Sequence, residues 1–273
     1  MSKKVKTKPF AKKSLGQNFL VDQNYIKEII IALDPQPGET VIEIGPGRGA
    51  LTRHLVESGA EVVAIELDRD LIPVLQNEFG KNENFRLIED DALQIDFSKL
   101  DAQPSKIKDQ SSKIKLAANL PYYISTAILQ RLIEQRAVFS EFVLMLQREV
   151  VDRMTAEPGN SERGFLTVLV EAFCETEKLF DVPPTAFRPA PKIWSAVARL
   201  RVKESPEIED EALFRNLLSL GFAQKRKTIL NNLKGKYPAA REVLERSGIE
   251  PNRRAETLTL DEWRRLVSVF RTE

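Results

Sequence analysis

An α/β fold followed by a small all-helical region is what the 273-residue sequence predicts. Three observations carry that prediction. Apolar strand-like runs alternate with helix-period segments through the first two-thirds of the chain. A glycine-rich turn, Gly45-Pro46-Gly47-Arg48-Gly49, follows one such run and opens a helix. Beyond an acidic stretch at Glu204–Glu211, which carries Pro206, only helical periodicity remains.

The elements follow in order. Ile26, Ile29, Ile30 and Leu33 share one helical face, and Pro35 and Pro37 end that helix. Thr40–Ile44 is the first apolar strand, and the glycine turn leads into a helix near Ala50–Ser58. Val62–Glu66 is a second strand, after which Asp68 is expected to cap a helix to about Glu78. Phe85–Ile88, Ile114–Ala118 and Phe142–Leu146 read as the third, fourth and fifth strands. The polar stretch Lys99–Ser112 is expected to be an exposed, mobile loop. Helices are predicted at Arg148–Thr155 and Phe165–Cys174, and an alternating strand at Ala196–Val202 after a proline cluster. The remaining helices are predicted at 211–222, 225–234, 238–247 and 259–271. Domain boundaries follow: a basic tail over 1–11, an α/β domain over 12–204 and a helical domain over 205–273.

Composition narrows the function classes. With 42% hydrophobic and 30% charged residues the chain has material for a sizeable core, which excludes global disorder. Cys174 is the single cysteine, so an internal disulfide framework and a Cys-rich zinc site are excluded. His54 is the single histidine, which removes His-pair metal centres and disfavours a Ser-His-Asp triad. No metal is expected. No apolar run approaches the roughly 20 residues of a membrane span, and the lysine-rich start lacks a secretory h-region. A cytoplasmic protein without membrane partners is the expectation. Net charge is +1, but residues 1–21 carry six lysines and no acid, while 215–273 carry 13 basic and seven acidic side chains. Two basic ends around an acidic centre suggest a polyanion held at the periphery.

The turn at Glu43–Gly49 has the spacing G-x-G-x-G, one residue short of the dinucleotide-binding G-x-G-x-x-G. Gly45 and Gly47 let the backbone approach a ligand closely. Glu66 ends the next strand, where a carboxylate can accept from both hydroxyls of a ribose. Asp91 lies just past the third strand, within reach of an exocyclic adenine amine. Three ligand-type features at the ends of successive strands favour S-adenosylmethionine over NAD or a purely structural turn.

Asn119-Leu120-Pro121-Tyr122 follows the fourth strand, where an open sheet places its crevice. An adenine exocyclic nitrogen is a poor nucleophile because its lone pair is delocalised into the ring. The Asn119 oxygen and a backbone carbonyl before or at Pro121 can accept its two N–H bonds, drawing it towards the geometry that attacks a sulfonium methyl. Tyr122 offers a face on which an extruded base can stack.

At these residues the chain resembles the bacterial small-subunit rRNA adenine dimethyltransferases of the KsgA/RsmA family. The resemblance extends to Ser14–Leu20, Gln147–Val150, Phe187–Ser195 and Gln224–Leu233, and runs from about residue 12 to 270. It implies a Rossmann-like class I methyltransferase sheet with a small C-terminal all-helical domain. It also implies dimethylation of two adjacent adenosines near the 3′ end of 16S rRNA; the expected partner is that rRNA within the immature 30S subunit, and a monomer is expected. The implied cofactor contacts are Asn18, Leu20, Gly45, Gly47, Glu66, Asp91 and Asn119. Asn119, Leu120, Pro121, Tyr122 and Phe187 form the implied catalytic set, with Tyr122 and Phe187 sandwiching the base. Two rivals stay open: a large-subunit rRNA adenine dimethyltransferase of the antibiotic-resistance type, and a non-catalytic ribosome-assembly protein.

Counting 100° per residue from Phe222 along the predicted helix 225–234, Ile229, Leu230 and Leu233 form an apolar stripe that includes Arg226. Arg226 is therefore expected in a buried ion pair, and Lys227 and Lys234 on the solvent side as RNA contacts. Trp194 and Trp263 are expected in the core, His54 in a packing or surface role, and Cys174 buried.

Overall fold

The structure is a computed structural model that describes residues 10–100 and 114–272. Most of the predicted basic tail and most of the predicted loop Lys99–Ser112 lie outside the described residues. In chain order the elements are β1 (Phe19–Leu20), α1 (Gln23–Leu33), β2 (Thr40–Ile44), α2 (Ala50–Glu57), β3 (Glu61–Glu66), α3 (Ile72–Phe79) and β4 (Phe85–Glu89). They continue with β5 (Ile114–Asn119), α4 (Ser125–Glu134), β6 (Phe139–Gln147), α5 (Arg148–Met154), α6 (Phe165–Phe173), β7 (Cys174–Val182), β8 (Phe187–Arg188) and β9 (Ser195–Val202). Four helices close the chain: α7 (Glu211–Gly221), α8 (Ile229–Leu233), α9 (Ala240–Arg246) and α10 (Leu260–Arg271).

Seven strands form one sheet in the order β4-β3-β2-β5-β6-β9-β7. The four pairs from β4 to β6 are parallel, and β9 runs antiparallel to β6. The order reverses between β2 and β5, the switch point at which such a sheet opens its ligand crevice. Four of the five residues of β2 and five of the six of β3 are buried, as strands covered on both faces require. On one side, α1 buries Ile26, Ile29 and Leu33 in a cluster with Leu20, Val41, Leu51, Val182 and Phe187. The α1 stripe is the one its spacing predicts, and the chain leaves the helix at Asp34 in a left-handed conformation (φ 46°) just before Pro35.

The chain divides into two compact units. The first contains the described residues up to Arg148 together with Lys178–Val202, and the second contains Glu149–Glu177 and the chain from Lys203 onwards. Composition predicts a single boundary at 204/205, whereas Glu149–Glu177 groups with the helical unit. The reason is α6, which is apolar around most of its surface and packs Phe173 edge-on against Phe214 of α7 at 6.1 Å between ring centres. Within the same unit Arg163 is buried and bonds Glu171 at 2.5 Å and the Ala156 carbonyl at 2.9 Å.

Other expectations need correcting. α3 starts at Ile72, because the Asp68 carboxylate and carbonyl first close a turn with the amides of Asp70 (3.0 Å) and Leu71 (2.9 Å). α8 spans only Ile229–Leu233: Thr228 caps it by accepting from the Asn231 amide, and Lys225–Lys227 form a turn. Helical spacing therefore does not apply to Arg226, which is exposed rather than buried in an ion pair. Trp263 is fully buried, as expected, but Trp194 is 45% exposed. Cys174 is buried, and His54 lies half-buried beside Glu57 (3.6 Å).

Candidate active site

Gly45 leaves β2 with φ 68°, and Gly47 and Gly49 follow at 58° and 80°, so the turn uses a conformation that costs other residues steric strain. Close approach adds a second constraint at Gly47, where a Cβ would stand 3.0 Å from the Phe19 ring. The turn is held over the sheet by the Gly45 amide, which donates to the Ile65 carbonyl of β3 at 2.9 Å. β3 ends in Glu66, 6% exposed. Its Oε2 accepts from the Gly47 amide (3.1 Å) and its Oε1 from the Asp68 amide (2.8 Å), so two backbone donors fix the carboxylate. Burial pushes its pKa up, and the two amides work against that shift. Each oxygen keeps a second lone pair for a hydroxyl donor. One strand further on, Asp91 Oδ1 accepts from the Leu93 amide at 2.9 Å, which orients the carboxylate.

Asn119 ends β5 across the switch point from Gly45. Its Nδ2 donates to the Asn18 carbonyl at 3.2 Å, leaving Oδ1 as the acceptor it can offer a ligand. Asn18 is held in turn by its own side chain, which donates to the Gly16 carbonyl at 3.2 Å. The Pro121 carbonyl accepts from the Ile124 amide at 3.2 Å and so closes the turn into α4. The Leu120 carbonyl, directly before the proline, is thus the better second acceptor for an amine. Tyr122 is half-buried and shares a 2.7 Å hydrogen bond with the buried Ser195 hydroxyl at the start of β9. Burial raises its pKa, only partly offset by Ser195, so the phenol is neutral at physiological pH.

A cavity of about 100 Å³ is lined by Asn18, Gly45, Gly47, Glu66, Asp91, Asn119, Leu120, Pro121 and Tyr122. These nine residues come from separate parts of the sequence, and the fold brings them together. A second space of about 320 Å³ shares Phe19, Gly45, Gly47 and Asn119, and includes Leu20 and Glu43. Leu20 is 4% exposed and lines this second space, not the cavity that the other predicted contacts share. Phe187 does not join the site as expected. It pairs with Leu20 in the short β1–β8 ladder, is 1% exposed in the core cluster, and presents no open face for a base. Lys227 and Lys234 are exposed on the second unit, consistent in burial with a solvent-side role.

Sequence reasoning missed four features. Tyr123 lines the cavity and is 60% exposed, and its ring would meet a Cβ placed on Gly16 at 3.1 Å. Asp68 is almost fully buried, and accepts from Lys12 Nζ at 2.5 Å and Gln17 Nε2 at 2.7 Å. Those bonds, with Lys12 to Asp70 at 2.7 Å, tie the segment bearing Asn18 to the loop after β3. Glu43 is 2% exposed and bonds the Thr52 hydroxyl at 2.6 Å. Helix α4 was also missed, although Ile128, Leu129, Leu132 and Ile133 carry a helical signal in the sequence.

Strand order, glycine turn and paired acidic residues define an S-adenosylmethionine-dependent methyltransferase of the Rossmann-like class. The residues fit that cofactor: Gly45 and Gly47 line the cavity without side chains, and Glu66 and Asp91 supply the acceptors a ribose and an adenine amine require. A family model described as ribosomal RNA adenine dimethylase matches residues 10–272. The ribosomal RNA small subunit methyltransferase A of Clostridium botulinum (strain Loch Maree / Type A3) is 44% identical over 259 residues, covering 93% of this chain and 92% of the relative. That of Lactococcus lactis is 40% identical over 266 residues, covering 95% and 90%. Among solved structures, a dimethyladenosine transferase from Plasmodium falciparum is similar at TM-score 0.78 and 28% identity, covering 93% of this chain and 98% of that one. The 23S rRNA methyltransferase ErmE is similar at TM-score 0.69 and 27% identity, covering 92% and 99%. This chain belongs to the ribosomal RNA adenine dimethylase family. It is an rRNA adenine dimethyltransferase whose methyl donor is S-adenosylmethionine.

Proposed function

We propose that the chain N6,N6-dimethylates two adjacent adenosines near the 3′ end of 16S rRNA in the immature 30S subunit, acting as a cytoplasmic monomer. The observation that carries the chemistry is the convergence of Glu66, Asp91 and Asn119 on one cavity at the sheet's switch point. The small-subunit relatives, at 40% identity and above, favour 16S over 23S rRNA as substrate.

S-adenosylmethionine supplies an electrophilic methyl on a sulfonium, so no strong base is needed. Glu66 would accept from its ribose hydroxyls, and Asp91 from its adenine amine. Gly45 and Gly47 offer backbone rather than side chains. For the target base, Asn119 Oδ1 and the Leu120 carbonyl accept the two amine N–H bonds, which localises the nitrogen lone pair for attack. The amine proton passes to solvent with or after methyl transfer, and the methyl donor leaves as the neutral thioether S-adenosylhomocysteine. Tyr122 presents its ring to the base while Ser195 fixes its rotation. Repeating the reaction on the same nitrogen requires space for the first methyl beside Asn119.

Asn119→Ala tests the assignment, because it removes one acceptor and the bond to Asn18 without touching the core. Transfer of labelled methyl to immature 30S particles should fall at least 100-fold, with the circular dichroism spectrum unchanged. Unimpaired turnover in that variant contradicts the mechanism.

A further inference from the structure

Gln147 and Ser195 form the last rung of the β6–β9 ladder. Arg148 and Trp194 lie one residue beyond that rung, and the Arg148 amide donates to the Trp194 carbonyl at 3.0 Å. This tie places the Arg148 guanidinium over the indole, 5.7 Å from the ring centre. The indole is 45% exposed and its neighbour Ile193 43%. Leaving a tryptophan in solvent forfeits the burial that Trp263 obtains, so the ring is available to a partner. Pro189 and Pro191, just upstream, restrict the backbone and pre-position the ring.

Two further observations identify the partner. From Phe187 to Ser195 the chain carries Arg188 and Lys192, both exposed, and no acid, so its charge complements a polyanion. Ser195, next to Trp194 in sequence, holds the hydroxyl of Tyr122 at 2.7 Å, and Tyr122 lines the pocket proposed for the target adenine, so the platform begins one residue from a partner of that pocket. An aromatic ring flanked by cations, with no hydrogen-bond code, suits a nucleic-acid base, since every base has a π-face.

We propose that Arg148 and Trp194 form a stacking platform for an unpaired nucleotide flanking the target adenosine. The proposal rests on the reading that the substrate is RNA. It assigns the platform a part in holding and orienting the strand once the target base is extruded, while phosphates on either side meet Arg148 and Lys192.

The test is steady-state methyl transfer to immature 30S particles by the wild type, Trp194→Ala and Trp194→Phe. The alanine variant should raise KM for the particle about tenfold, a loss typical of one stacked base. The phenylalanine variant should restore most of that loss, and KM for S-adenosylmethionine should not move in either. An unchanged KM for the particle in an active Trp194→Ala enzyme overturns the proposal and leaves the methyltransferase reading intact. So does a change in sedimentation of the free variant without a change in KM, which would assign the ring to contact with a second copy. Should the wild type methylate no rRNA, the functional reading fails, and fluorescence decides the platform separately. Trp263 is fully buried, so quenching of tryptophan emission by an adenosine-containing RNA hairpin reports on Trp194. Quenching supports stacking, and its absence overturns it.

Discussion

Glu43→Gln is the substitution whose effect the structure specifies most fully. Glu43 is 2% exposed on β2, one residue before Ile44, and burial is the main cause that raises its pKa from 4.5 to about 8. The Thr52 hydroxyl bond opposes the shift and the nearby Glu66 charge adds to it. The folded protein therefore holds a proton at pH 7 that the unfolded chain releases. With more protons bound in the folded state, stability falls as pH rises between 4.5 and about 8. At 1.36 kcal/mol per pH unit, the retained proton costs roughly 3 kcal/mol at pH 7 and under about 1 kcal/mol at pH 5. A glutamine can still accept from Thr52 and carries no proton linkage, but it introduces two N–H donors of its own. The pH dependence is accordingly more diagnostic than the absolute gain. Urea unfolding of both proteins between pH 5 and 7 should show glutamine gaining on wild type by about 1 kcal/mol per pH unit. A difference independent of pH would mean that Glu43 is ionised in the fold and would refute the reasoning.

Three other outcomes are expected. Asp68→Asn should loosen the segment bearing Asn18: trypsin should cut after Lys12 severalfold faster, and S-adenosylmethionine should bind more weakly in calorimetry. The Asp68 carboxyl is pushed up by burial but brought below its usual value by Lys12, Gln17 and the Asp70 amide, so in the wild type the tether should hold at neutral pH. It should be lost only under acid conditions, as pH falls below the ordinary aspartate range and through the lowered folded pKa. Arg163→Ala should destabilise the second unit by about 2 kcal/mol in denaturant melts, because the Ala156 carbonyl loses its buried donor while the part-exposed Glu171 can turn to solvent. Replacing Lys227 and Lys234 together with glutamine should weaken binding to 16S rRNA fragments and flatten its dependence on salt concentration by about two counterions.

The cavity was readable from sequence because its parts are local. A glycine triplet, an acid at a strand end and Asn119–Tyr122 each carry their geometry within a few residues, and parallel-sheet topology brings them together. What sequence did not show is non-local. The two-residue strands β1 and β8 have no periodicity to detect, and their pairing is what buries Phe187. Asp68 reads locally as a helix cap, whereas its partners Lys12 and Gln17 stand 56 and 51 residues earlier in the chain. In α8 the apolar stripe is genuine, but Thr228 starts the helix too late for Arg226 to share it. The exposure of Trp194 depends on where β9 begins, which composition does not encode.

The central claim is that Glu66, Asp91 and Asn119 serve dimethylation of adjacent adenosines in small-subunit rRNA. Labelled S-adenosylmethionine incubated with wild-type protein and both immature subunits, followed by nucleotide mapping, tests it directly. The account predicts N6,N6-dimethyladenosine at two neighbouring positions near the 3′ end of 16S rRNA. Label confined to 23S rRNA, or no label in either, would contradict it.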